Sequence, residues 1–233
     1  MIRLAPILLA IIIALVMWRY SSWSLKRKLD AKSYPLKDAA LSPYLDRLAA
    51  ALNVMRLPVH VYQVSPVNGL AAPDGRIFLT QGFLDKFRSG EVTGAEITSV
   101  IAHELGHVSL GHSRRRMIDF SGQNVIRVVL TTVIGRFIPF IGPWLAHMAT
   151  QALAARLSQQ DEFEADEFAT ALMIKAGFGV DPQISLFQKL DRLSGSGKAT
   201  PPAWLLTHPA TDRRIAAIRA HAARWQRQSP TNS

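Results

Sequence analysis

"IAHELGHVSLGH", Ile101 to His112, sets three histidines and a glutamate within twelve residues of a chain that has seven histidines in all. The stretch reads as helix. With the preceding "AEITSV" it puts Ile97, Val100, Ile101, Leu105 and Val108 on one apolar stripe, and the pattern predicts a helix over Thr93 to Met117. Residues 103–107 have the form His-Glu-x-x-His. Positions i and i+4 share a helix face, so His103 and His107 can face one metal ion. Glu104 lies on the adjoining face, where it can take a proton from a water activated by that ion. The plainer alternative is a helix that happens to carry two histidines.

Two histidines make an incomplete site. Catalytic zinc takes three protein ligands and keeps one position open. The chain has no cysteine, which excludes thiolate zinc sites, disulfides and cysteine nucleophiles. The third ligand is therefore His112, a distant carboxylate, or absent. The longer protease pattern with a third histidine needs glycine three residues, and histidine six residues, after His107. Those positions are Leu110 and Ser113. On a continuing helix His112 is turned about 140° from His107 and points away, so it reads as a helix-end or structural histidine. "LSQQDEFEADEFATAL", Leu157 to Leu172, favours the distant carboxylate. Five acids fall between Asp161 and Glu167, the one dense acidic cluster of a basic chain. Glu162 and Asp166 share a helix face. Glu162 would bind the metal while Asp166 fixes a ligand histidine through its other ring nitrogen. A solvated acidic face is the alternative.

The net charge is +10, spread over scattered basic residues with no nucleic-acid motif. No nucleic-acid partner is expected. The apolar run Leu4 to Trp18, followed by Tyr20 and Trp23, favours a lipid bilayer. It predicts a single-pass N-terminal transmembrane helix over 1–28, with Arg19 snorkelling. A cleaved signal peptide is the rival, but no A-x-A-like site follows the run. The basic residues beyond it (Arg19, Lys26, Arg27, Lys28, Lys32) place the catalytic domain in the cytoplasm, with a periplasmic or other extracytoplasmic location as the alternative.

Further along, residues 29–40, with Tyr34-Pro35, read as a linker, 41–228 as the domain and 229–233 as a disordered tail. Leu41 to Met55 reads as an amphipathic helix, Val59 to Val64 as a strand, and Asn68 to Thr80 as a hairpin around Pro-Asp-Gly. Either Gly75 to Thr80 or Asn68 to Ala72 is expected at a sheet edge, where an extended peptide can add as a strand. Helical patterns cover Gly82–Arg88, Gln159–Ala176, Pro182–Leu193 and Ala210–Gln226. Ser194 to Pro202 is a loop. The apolar stretch 125–157 has 33 residues, broken by Pro139, Gly142 and Pro143. Two crossings need about 40 apolar residues plus a turn. The histidines before the stretch and Glu162 after it must also meet on one side, which excludes one crossing. A helical hairpin resting on the domain or the bilayer is expected. The fold class is mostly helical α+β with a small sheet.

The sequence resembles the HtpX and CAAX-prenyl-protease type of zinc metallopeptidase, metallopeptidase family forty-eight. It carries the helical HELGH, then Glu162-Phe163-Glu164-Ala165-Asp166, Asn68 and Ala71 before "GRIF" (Gly75 to Phe78), and Thr207-His208-Pro209 before Arg214-Ile215. The resemblance implies a zincin-like (gluzincin) fold with one Zn2+ per chain, bound by His103, His107 and Glu162. Glu104 would be the general base and Asp166 would lie behind the ligands. His208 would steady the transition state or occlude the resting site, and Arg214 would support it. Asn68 and Ala71 would sit on the substrate-binding strand. It implies hydrolysis of protein or peptide substrates, with membrane tethering suggesting quality control at the membrane. A zinc-bound, chaperone-like or assembly factor with latent or no proteolysis is the second reading. A basic membrane scaffold without zinc is the third.

Overall fold

The computed structural model describes residues 4–72, 74–112, 142–195, 204, 206, 208 and 212–228. Two compact units divide the chain: residues 1–29 with 111–161, and residues 30–110 with 162–233. Everything that builds the site below belongs to the second unit.

A four-stranded sheet opens that unit: β1 (Ser33–Pro35), β2 (Val59–Tyr62), β3 (Gly69–Ala71) and β4 (Ile77–Thr80), in the order β1-β2-β4-β3. The expected hairpin is β3 with β4, antiparallel with Leu70 opposite Phe78. Its turn closes through Gly75 N–H to Ala72 O at 3.0 Å. β2 runs parallel to β4, Val61 opposite Leu79. β4 is thus an interior strand, and all four of its residues are buried. This removes Gly75 to Thr80 as an edge and leaves β3, beginning after Asn68, at one rim. Residues 33–35, expected in a linker, form the other rim as β1, antiparallel to β2. Pro35 is tolerated there because an edge strand has N–H groups that need no partner.

Helix α2 (Ser42–Ala51) stops short of the expected Met55 because Asn53 turns left-handed, φ 55°. Helices α3 (Gln81–Arg88) and α4 (Gly94–Ser109) follow. α4 starts where a Thr-x-x-Glu signature puts it. Glu96 N–H donates to Thr93 Oγ1, and Thr93 N–H donates to Glu96 Oε2, the two bonds of a capping box. Glu96 also accepts from Ser185 Oγ at 2.6 Å and Lys189 Nζ at 2.8 Å, which ties α6 (Asp181–Gly195) to the start of α4.

The apolar stripe understates the burial of α4, because every residue from Glu96 to His107 is buried. Two polar residues in that run are satisfied locally: Thr98 Oγ1 donates to Gly94 O and Ser99 Oγ to Glu96 O, both at 2.7 Å. The helix ends at Ser109 instead of Met117, with Gly111 at φ 71°. His112 follows that break, so the break, and not rotation on a continuing helix, separates it from His107. It is buried, with Nε2 3.7 Å from Asp161 Oδ1.

Helix α5 (Gly142–Lys175) has 34 residues, where the sequence suggested a hairpin arm and a separate helix from Gln159. Residues 125–141 of the expected hairpin, and the tail 229–233, lie outside the described residues. The last helix, α7 (Asp212–Gln228), carries Arg214 in its first turn. The core of the second unit joins Leu41, just before α2, and Leu48 of α2 with Val61, Ile77 and Leu79 of the sheet, Ile97 and Ile101 of α4, Met173 of α5 and Leu186 of α6.

In the first unit, α1 (Leu4–Ala31) runs through residue 29 and exposes much of its apolar surface: Leu8, Leu9, Ile12, Leu15 and Val16 are each more than half exposed. Among the described residues no helix is long and apolar enough to cross a membrane. The uncharged run Leu4 to Trp18 has fifteen residues, about 22 Å of helix against a hydrocarbon core of about 30 Å.

Candidate metal centre

Three helices and one turn converge. α4 supplies His103, Glu104 and His107. α5 supplies Glu162 and Asp166. α7 supplies Arg214, and the residues before α7 supply His208. The approach of α4 to α5 depends on Gly106, inside the His-Glu-x-x-His motif. A Cβ there would lie 3.0 Å from both Cα and O of Ala165, so any larger residue would push Glu162 away from the histidines.

The donor atoms face one point. His103 Nε2 and His107 Nε2 are 3.1 Å apart. Glu162 Oε2 is 3.3 Å from His103 Nε2, and Glu162 Oε1 is 3.5 Å from His107 Nε2. His208 Nδ1 joins them, 2.9 Å from Glu162 Oε2 and 3.3 Å from His103 Nε2. All four residues are buried. A tetrahedron of ligands about 2.0–2.1 Å from a zinc ion has edges of about 3.3 Å. Spacings of 2.9 to 3.5 Å match that figure, and three imidazoles with a carboxylate are a zinc donor set. The residues fit the ion.

Behind the donors, Asp166 does two things. Its Oδ1 accepts from His103 Nδ1 at 3.0 Å, which fixes the tautomer that leaves Nε2 free to ligate. It also accepts a two-pronged contact from Arg214: Nε to Oδ2 at 2.7 Å and Nη2 to Oδ1 at 2.9 Å. Arg214 Nη1 reaches Glu162 Oε2 at 3.3 Å. Burial favours neutral carboxyls, yet hydrogen bonds from His103 and His208 hold Glu162 well below the usual carboxylate range. Those from His103 and Arg214 do the same for Asp166.

Burial pushes His103 down, but its hydrogen bonds to Asp166 and Glu162 outweigh that and raise it to about 9. The metal-free protein therefore carries an imidazolium at His103 at neutral pH. Ligation needs the Nε2 lone pair, so zinc binding at pH 7 should release about one proton per ion from this group. Calorimetry in buffers of differing ionisation enthalpy measures this, and zinc affinity should rise with pH up to about 9. The same shift acts on metal-free stability. A raised pKa stabilises the fold fully below the unfolded value of 6.5, and that contribution is lost as pH rises through about 9.

Glu104 points into the same space. Its Oε1 is buried without a hydrogen-bond partner and lies 3.5 Å from His208 Nε2. Edge strand β3 passes beside it, where a Cβ on Gly69 would be 3.6 Å from Glu104 Oε1. At the head of β3, Asn68 pairs by its backbone with Thr80, while its side-chain Oδ1 is buried without a hydrogen-bond partner. Ala71 pairs with Ile77 further along the strand.

Sequence reasoning missed Trp204, which is 1% exposed. Its ring stacks on His208 at 5.5 Å, meets His103 edge-on at 5.9 Å, and stacks on Phe187 at 5.4 Å. His208 N–H donates to Trp204 O at 2.7 Å, which sets the histidine against the tryptophan. The available signal was the four-residue spacing of a lone tryptophan and a histidine.

A helical His-Glu-x-x-His, a carboxylate from a second helix and an aspartate behind the first histidine are the parts the resemblance called for. The sequence matches the profile described as Peptidase family M48 over residues 35–222. The chain belongs to peptidase family M48. Among curated relatives, this M48 peptidase is 29% identical to the metalloprotease LoiP of Escherichia coli over 187 residues, 77% of this chain and 71% of LoiP. It is 29% identical to the Escherichia coli metalloprotease YcaL over 191 residues, 80% of this chain and 72% of YcaL. It is also 29% identical to the beta-barrel assembly-enhancing protease of Yersinia pestis over 223 residues, 89% of this chain but 44% of that protein. The protein is a zinc metalloendopeptidase.

Proposed function

We propose that this M48 peptidase cleaves membrane-associated or misfolded proteins beside a bilayer, with zinc held by His103, His107 and Glu162. The convergence of those donors at zinc-like spacing carries the reading. Bound there, zinc supplies a Lewis acid that polarises the scissile carbonyl and acidifies water. Glu104, with its unpartnered Oε1, takes the proton of the attacking water and hands it to the leaving amine. Asp166 and Arg214 keep His103 in its ligating tautomer. The substrate lies extended along β3, with Asn68 Oδ1 available to one of its N–H groups and Ala71 giving it room.

The exposed apolar face of α1 supports residues 1–28 as a bilayer attachment, Arg19 snorkelling at its end. The basic residues that follow favour the cytoplasmic side. Relatives named for beta-barrel assembly agree with a role in membrane-protein quality control. The full chain should float with liposomes, and a chain lacking residues 1–28 should lose most of that binding. Equal flotation of the two would sink the attachment at α1.

One observation supports a latent resting state. His208 Nδ1 takes the fourth corner of the donor set, where a substrate oxygen would have to enter. His208→Ala should therefore raise basal cleavage, by about tenfold if the parent site is open a tenth of the time. A fall in cleavage would instead assign His208 to transition-state stabilisation.

A further inference from the structure

Beside His103 and Asp166 is a small cavity of about 10 Å³, lined by these two and by Ser99, Gln183, Phe187 and Trp204 among others. Val100, Leu186 and Phe187 give it apolar walls, and Ser99, His103, Asp166 and Gln183 bring polar groups to it. Gln183, in the first turn of α6, is 3% exposed, and its Nε2 has no hydrogen-bond partner. Its Oε1 accepts from Thr170 Oγ1 at 3.1 Å, and Thr170 is itself fully buried. With Oε1 taken by Thr170, Nε2 is the half of the amide left without a partner in a residue that lines the cavity. A buried amide donor left unpaired is costly, and the zinc site already described does not use it.

We propose that Gln183 is a positioning residue for the metal centre, acting through a single water in this cavity. The size suits one water, which needs about 10–15 Å³ and at least two polar partners. The water accepts from Gln183 Nε2 and donates to the Asp166 carboxylate. Asp166 Oδ2 receives only the Arg214 Nε bond among those seen there, so it keeps lone-pair capacity. Ser99 Oγ, which donates to Glu96 O, can accept the water's second hydrogen. The chain Thr170, Gln183, water, Asp166, His103 then links α5 and α6 to the ligand ring. It gives the Asp166 carboxylate a further hydrogen bond beside those from Arg214 and His103, so that it is held against His103 Nδ1.

The inference rests on the zinc assignment, and its tests separate the two. A high-resolution crystal structure of the zinc-loaded full chain should show one ordered water within hydrogen-bond distance of Gln183 Nε2 and Asp166. Gln183→Met keeps the side chain's size but donates nothing. It should weaken zinc binding in chelator competition by up to about tenfold, the low end of what loss of a ligand's own outer partner costs, because Gln183 acts on that partner through the water. It should also change the visible spectrum of the cobalt-substituted protein, which a residue that only packed would leave alone. Thr170→Val, which frees the amide without emptying its site, should shift both readouts the same way by less, and it stands in if the methionine variant fails to fold. A dry cavity, or both variants with parental affinity and spectrum, overturns the inference and leaves the zinc site intact. A parent protein that holds no stoichiometric zinc overturns the zinc assignment and this inference together.

Discussion

Glu104→Gln leaves a folded, zinc-loaded protein that cleaves casein about 10²–10⁴-fold more slowly than the parent. The substitution keeps the shape of the side chain and removes only its ability to take a proton. The contacts among His103, His107 and Glu162 do not run through Glu104, whose one neighbour in the set is His208 Nε2 at 3.5 Å. Zinc content should therefore stay at one per chain. Glu162→Ala differs because it removes a donor from the proposed ligand set and leaves Arg214 Nη1 without the carboxylate 3.3 Å away, so zinc itself should be lost. Measuring metal and cleavage on both variants separates base from ligand. Loss of zinc in Glu104→Gln would mean that the carboxylate is a ligand. Undiminished casein cleavage in a Glu104→Gln protein with full zinc would end its role as general base. A parent with full zinc and no casein cleavage would favour the assembly-factor reading.

What the sequence revealed about this site was what helical periodicity encodes. His103 and His107 are four apart on α4, Glu162 and Asp166 four apart on α5, and in each case the spacing places both on one face before any contact is known. Periodicity says nothing about which distant faces meet. That α4 can approach α5 closely enough depends on Gly106 against the backbone of Ala165, a fit between two surfaces. The parallel pairing of β2 with β4 put β4 in the interior, and a hairpin signal speaks only for β3 with β4. Residues 33–35 looked like linker because Tyr34-Pro35 is a turn-like pair, and their strand character comes from β2 alongside. Trp204 follows a Gly/Ser/Pro-rich stretch that reads as loop, and its burial is set by Phe187, His103 and His208. Two helix ends were also misread: α2 stops short of Met55 at the left-handed Asn53, and α4 stops at Ser109, before Gly111 at positive φ, instead of running to Met117.

Arg214→Met should destabilise the metal-free protein by about 3–5 kcal/mol, because removing one partner leaves buried charge uncompensated. Arg214 is 2% exposed, and it serves both Asp166 and Glu162, themselves buried side by side. Burial alone would lower the arginine's affinity for its proton, yet the hydrogen bonds and charges of Asp166 raise it, so the guanidinium is charged throughout the working range. With zinc bound, a second cation neutralises the same carboxylates, and the loss should be smaller. For a chain of this size each kcal/mol corresponds to about 2–4 °C in Tm. The gap between parent and variant should therefore be of order 10 °C in chelator and visibly narrower with zinc. The double variant Arg214→Met, Asp166→Leu removes both charges of the pair and should recover much of the metal-free stability. It should still bind zinc about 10–100-fold more weakly than the parent, since His103 then has nothing to fix its tautomer. Melting curves with and without zinc, together with chelator competition, read both quantities. Equal losses with and without the metal would show that Arg214 acts by packing α7, not by charge.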